Sequence, residues 1–156
     1  MPLFDPYVDW DAVRKRSAVK RRPPPKDLLW NWRRNTYDGE DSAVGPYSHC
    51  VKAGSTYYLC GQVPFHPVTG EVVGNGMKEQ AVQTLANMKA VLEAAGLAVT
   101  DIAKTTVFVT NMDDFAAFNE VYAAFMGEHR PARVCVEVSN IAHGCLLEMD
   151  AICFKE

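Results

Sequence analysis

DIAKTTVFVTNMDDFAAFNEVYAAFMG, residues 101–127, changes its hydrophobic period halfway along. Up to Thr110 the pattern alternates, with Ile102, Lys104, Thr106, Phe108 and Thr110 on one face and Ala103, Thr105, Val107 and Val109 on the other. This predicts a strand buried on at least one side. From Asp113 to Met126 the spacing becomes helical, placing Phe115, Phe118, Tyr122 and Phe125 along one side. Asp113 and Asp114 suit the positive end of a helix dipole, and Gly127 supplies the stop.

Working outward, Met77–Ala95 carries a second apolar stripe of Ala81, Leu85, Met88, Leu92 and Ala95, followed by Gly96. Before it, YSHCVKAG (47–54) and STYYLCGQV (55–63) read as two short β segments turning near Gly54. They lead into the turn-rich PFHPVTGEVVGNG (64–76). After residue 131, ARVCVEV (132–138) and CLLEMDAICF (145–154) read as two further strands joined by SNIAHG. The order β-β-α-β-α-β-β calls for an α+β fold with two helices packed on one face of a sheet.

A chain of 156 residues, 48% apolar and 22% charged, suits one globular domain with a substantial core. The average hides a seam: residues 1–40 hold nine Lys/Arg against six Asp/Glu, while residues 41–156 hold seven against thirteen. The first forty residues also contain Trp10, Trp30 and Trp32, all the tryptophan of the chain. We therefore divide the chain into an aromatic, basic extension, 1–40, and a domain, 41–156. The extension is expected to pack on the core or on a neighbouring subunit. Its run RKRSAVKRRPPPK (14–26) has a nucleic-acid character, but the acidic body and the lack of an RNA-binding motif argue against such a partner.

The start, MPLFDPYVDWD, lacks the basic and apolar regions of a secretory signal, and no run of eighteen apolar residues occurs, so a cytoplasmic protein is expected. Five cysteines without C-x-x-C spacing read as free thiols, and four histidines without H-x-H or H-E-x-x-H spacing suggest no metal. No Cys/His spacing marks a nucleophile. VVGNG matches no phosphate-binding motif and reads as a turn.

The residues that call for an explanation are Arg133, sharing a strand face with Cys135 and Glu137, and Glu148, sharing one with Asp150. They lie fifteen residues apart on consecutive strands among apolar neighbours, where a charge must be paired or meet a ligand. Two readings stand: a structural ion pair, or a site in which Arg133 grips a substrate carboxylate and Glu148 handles protons or positions water. His49, two residues after Tyr47, could share its face and touch a polar substrate group.

Several segments in order, GPYSH (45–49), CGQVPFHPVTGEVV (60–73), EAAGLAVTDIAKTTVFVTNMDDFAAFNEVY (93–122), PARVCVEV (131–138) and LLEMDAI (146–152), resemble the Rid (reactive intermediate deaminase, YjgF-like) family from about Gly45 onward. The resemblance implies a chorismate-mutase-like fold, a homotrimer with a central barrel and three clefts between subunits. It also implies cofactor-independent hydrolysis of enamine or imine carboxylates to a 2-oxo acid and ammonia. By position, Arg133 matches the family's carboxylate-binding arginine and Glu148 the acid that activates water. Tyr47 and Asn119 match polar cleft residues, Cys135 the cysteine beside bound substrate, and Gly61 the glycine of the S-G-Q turn. Cys60 stands where that turn usually has Ser, His49 where Gln is common and Ala142 where Pro usually closes the last loop.

On this footing the expected substrate is an unsaturated amino acid such as 2-aminomuconate, in aromatic-compound catabolism, with 2-aminoacrylate or 2-iminopropanoate as the general alternative. The reading of another class is a non-catalytic small-carboxylate-binding protein or an RNA-cleaving relative.

Overall fold

The alternating half of residues 101–127 forms a strand that pairs on both sides. In the computed structural model, which describes residues 47–156, the sheet has five strands. They are β1 (Cys50–Ala53), β2 (Thr56–Gln62), β3 (Ile102–Val109), β4 (Ala132–Glu137) and β5 (Leu147–Phe154). Their spatial order is β1-β2-β5-β3-β4. All pairs are antiparallel except β3 with β4. That parallel pair needs a crossover, which the helical half of the same segment supplies as α2 (Phe115–Met126). Strand and helix count, order and class are those expected from the sequence. The basic extension and its expected packing lie outside the described residues.

Helix α1 (Met77–Ala94) and α2 cover one face of the sheet. Into that layer project Thr105, Val107 and Val109 of β3, Leu147, Met149, Ala151 and Cys153 of β5, and Tyr57 and Leu59 of β2, all buried. The α1 stripe closes over them with Ala81, Leu85, Met88, Val91 and Leu92, and α2 adds Phe118, Tyr122 and Met126. Each fully buried large side chain, such as Phe118, Met88 or Leu92, contributes about 1.5–3 kcal/mol relative to exposure. Thr105 is the polar member of β3 on this face, and its hydroxyl lies 3.0 Å from the Tyr122 hydroxyl, so neither group is buried unpaired.

Helix α1 begins with Glu79 accepting from the backbone N–H groups of Asn75 and Gly76, and ends as Leu97 N–H donates to Leu92 O at 2.8 Å. Gly96, at φ +69°, makes that return possible. Before α2, Met112–Asp114 form a single 3-10 turn whose Asn111 side chain accepts from Asp113 N–H. The spacing predicts a helix from Asp113, inside this turn; the Asn111 cap starts the tighter turn first, and the α-helix follows at Phe115.

Two register irregularities shape the sheet. On β2, Leu59 pairs with Ala151 and Gln62 with Met149, three steps against two. Cys60 and Gly61 occupy the bulge. The extra residue resets the alternation, so Gln62 turns into the helix side, where it is buried. On β3 a similar irregularity between Ile102 and Lys104 buries Ile102, which simple alternation places with Lys104. The other face of the sheet carries exposed apolar side chains: Tyr58, Val134, Val136 and Phe154. No helix among the described residues is long and apolar enough to cross a membrane.

Candidate active site

The two charged residues singled out in the sequence leave the sheet on opposite faces. Arg133 pairs with Thr105, whose side chain points into the helix layer, and the Arg133 guanidinium lies 4.6 Å from the Tyr122 ring centre and 5.3 Å from that of Phe115. Glu148 alternates with the buried Leu147 and Met149 and therefore emerges on the open face. β3 separates their strands. The expected Arg133–Glu148 constellation does not form within one chain, and neither does the structural ion pair. β4 and β5, consecutive in sequence, are not neighbours in this sheet, because the β3–β4 crossover places β4 on the far side of β3.

Around Glu148 the open face forms a cavity of about 360 Å³, lined by Tyr47, Cys60, Gly61, Val63, Phe65, Ala142, His143 and Glu148. The bulge in β2 brings Gly61 against the Glu148 carboxylate so closely that a β-carbon at residue 61 would overlap it. Burial raises the Glu148 carboxyl above the ordinary carboxylate value, and the nearby Asp150 adds to the shift. Among the described residues no hydrogen bond or ion pair engages that carboxylate; Asp150 instead accepts from Thr106 N–H at 3.1 Å. Tyr47, half exposed at the rim, has its phenol raised by burial, with Cys60 and Glu148 contributing.

Cys60 is a neutral thiol by environment. Burial pushes it to about 11, which the hydrogen bond from Gln62 Nε2 at 3.2 Å offsets only in part. His49 sits beside it, Nδ1 at 3.6 Å from the sulfur and ring edge-on to Tyr47 at 6.0 Å between centres, and does not line the cavity. Both His49 and Tyr47 precede β1, so they are not strand neighbours as the sequence reading had them.

Helix α1 fixes both walls of this cavity from behind. Asn87 Nδ2 donates to Val63 O and Phe65 O, each at 2.9 Å. The buried Gln80 accepts from Leu146 N–H at 2.8 Å, which holds the start of β5.

On the helix side and at the sheet edge lies a second cavity, of about 340 Å³, lined by Asn119, Tyr122, Ala123, Met126, His129, Arg130, Pro131 and Arg133. Arg133 donates to Asn119 Oδ1 at 2.9 Å, and among the described residues it has no carboxylate partner. The aromatic faces beneath it, together with one amide, hold the guanidinium in place while leaving donors for a ligand. Cys135 follows on the same strand face, its thiol raised by burial and partly lowered by Arg133, but it does not line this cavity.

The structure thus gathers Tyr47, Cys60, Gly61 and Glu148 at one cavity, with His49 behind, and Arg133 with Asn119 at another. Sequence reasoning missed Phe65 and His143, which line the first, and the support that Phe115 and Tyr122 give to Arg133. The Phe115–Phe118–Tyr122 stripe was visible but reads as core; the His143–Gly144 pair signals a turn and nothing more.

A family model described as Endoribonuclease L-PSP matches residues 39–155. A RutC family protein from Pyrococcus horikoshii is 50% identical over 113 residues, 72% of this chain and 90% of that one. The 2-iminobutanoate/2-iminopropanoate deaminase of Escherichia coli is 46% identical over 117 residues, 73% of this chain and 91% of that one. The crystal structure of RidA from an Antarctic Psychrobacter superposes with a TM-score of 0.72 at 37% identity, covering 84% of this chain and all of that one. With the family model spanning the whole described domain and these relatives matched over most of their length, the chain belongs to the Endoribonuclease L-PSP family, the Rid or YjgF-like proteins.

Proposed function

We propose that the protein hydrolyses 2-imino acids, and the enamines that tautomerise to them, to 2-oxo acids and ammonia. The observation that carries this reading is the Glu148 carboxylate: partly buried, raised in pKa, unpaired among the described residues and set over a glycine at the wall of a cavity. Such a group can take a proton from water as the oxygen attacks the imine carbon, then return one to the nitrogen as ammonia leaves. The 2-iminobutanoate/2-iminopropanoate deaminase relative supports this reaction class.

The substrate carboxylate is assigned to Arg133 with Asn119, and because these lie on the opposite face from Glu148, the reading requires two chains per site. β4 is an edge strand, so Arg133 stands at the margin of one subunit, where it can border a neighbour's open face. The exposed Tyr58, Val134, Val136 and Phe154 offer apolar area for that contact, and the family resemblance favours a homotrimer. Tyr47 at the rim would add a polar contact, and Cys60 with Gly61 would form the wall beside the reacting carbon.

For the substrate, the relatives favour short 2-imino acids; 2-aminomuconate stands as the more specialised alternative. Ammonia release from 2-iminopropanoate and 2-iminobutanoate, generated in situ by an amino-acid oxidase, tests the reading. No acceleration over the spontaneous rate on either, nor on 2-aminomuconate, would leave a carboxylate-binding protein in its place.

A further inference from the structure

Among the described residues, His143 is the one non-glycine with positive φ, at φ 57° and ψ 21°. Left-handed backbone disfavours any side chain, so a residue other than glycine there calls for a reason in the side chain itself. The turn that carries it, Ala142–Gly144, is clamped at both ends by the buried Ile141 and Cys145 and is followed by the Gln80–Leu146 hydrogen bond. This backbone aims the imidazole at the Glu148 cavity, edge-on against Phe65 at 5.2 Å between ring centres. Phe65 is itself tied to α1 through Asn87. The exposed ring is therefore braced on one side by a fixed Phe65, while the clamped turn holds its backbone. Among the lining side chains Arg and Lys are absent, and His143 is the one nitrogen donor.

We propose that His143 selects substrates by their side chain, donating a hydrogen bond to an oxygen acceptor at the far end of a 2-imino acid. This rests on the imine-hydrolysis reading. The carboxyl end belongs to Arg133 and the reacting carbon to Glu148; the remaining wall, formed by His143 and Phe65, faces whatever the substrate carries beyond its third carbon. His143 is exposed, so the discrimination comes from the hydrogen bond that an oxygen-bearing chain gains and an apolar chain of equal length does not.

The test compares imines generated by an L-amino-acid oxidase from glutamate, glutamine and norvaline: a carboxylate end, a neutral amide end and an apolar end. Trapping of unhydrolysed imine by semicarbazide provides the readout. The wild-type protein is expected to favour the glutamine-derived imine over the norvaline-derived one by about tenfold in kcat/KM. In His143→Gly, which suits the left-handed backbone and so keeps the turn, that ratio should collapse to near one, with the change falling on KM. A preference shared by the glutamate-derived imine marks a charge-tolerant acceptor site, and one confined to the glutamine-derived imine a neutral acceptor; either supports the proposal. A ratio near one in the wild type, or a ratio unaltered in His143→Gly, overturns it while leaving the deaminase reading intact. Failure to hydrolyse any imine overturns both.

Discussion

The carboxylate of Glu148 fills the space that a β-carbon would occupy at Gly61. One residue lacks a side chain so that another, on the neighbouring strand, can lie flat across it, and the β-bulge at Cys60–Gly61 brings the two together. Gly61→Ala should therefore fold, because the backbone there is not left-handed, yet displace the carboxylate. The expected loss is about 10²-fold in kcat, the scale of a misplacement near 1 Å. Circular dichroism with steady-state kinetics separates this from unfolding.

Glu148→Gln should lower kcat by about 10²–10⁴-fold, the usual contribution of a positioned acid–base group. In the wild type the acid limb of kcat/KM should be shifted upward from that of an ordinary carboxylate, because burial, and then the nearby Asp150, raise the pKa of this group. The variant should lose that limb.

The same shift bears on stability with a definite sign. A carboxyl whose pKa is raised on folding holds its proton more tightly in the native state, so the native state loses stability as pH rises from the unfolded value through the folded one. Glu148→Gln should consequently melt higher than wild type at neutral pH, and the difference should vanish at a pH below both values. Thermal melts across that range check the direction; a variant less stable at neutral pH would contradict it.

Arg133→Ala should cost about 2–5 kcal/mol in kcat/KM, as for other truncated charge contacts. More telling is a mixture. Arg133→Ala and Glu148→Gln chains, each inactive alone, should regain activity when unfolded and refolded together, to about a quarter of wild type if trimers assemble at random and every site spans two chains. No recovery in folded mixed oligomers would mean that each site is built by one chain.

Tyr122→Phe should remove the hydroxyl that partners Thr105 but keep the ring beneath Arg133. Leaving the buried Thr105 hydroxyl unpaired should destabilise the protein by about 1–3 kcal/mol, measured by denaturant unfolding, with little change in KM.

The order and class of the elements could be read from the sequence because each has an uninterrupted period: Ala81 to Ala95 at helical spacing, Thr105, Val107 and Val109 in strict alternation. What could not be read depends on pairing. Nothing local in TYYLCGQ announces that Cys60 and Gly61 form a bulge, which follows only from how β2 meets β5. Nor does the spacing between Arg133 and Glu148 reveal that β3 inserts between their strands. The candidate site residues were named through the family resemblance, while their division between two faces was invisible in the sequence. His143 escaped because its significance lies in a backbone angle, and Phe65 because a loop aromatic has no period.

The open face of the sheet ties chemistry to surface residues that react with nothing. No rotation of side chains can bring Arg133 through a hydrogen-bonded sheet to Glu148, so in the proposed two-chain site the rate must depend on how much of the protein is associated. A charged substitution at Val134 or Tyr58, which line neither cavity, would then silence that site by dilution, giving a chain that folds, melts and binds through each half-site as before, yet turns nothing over until its concentration is raised.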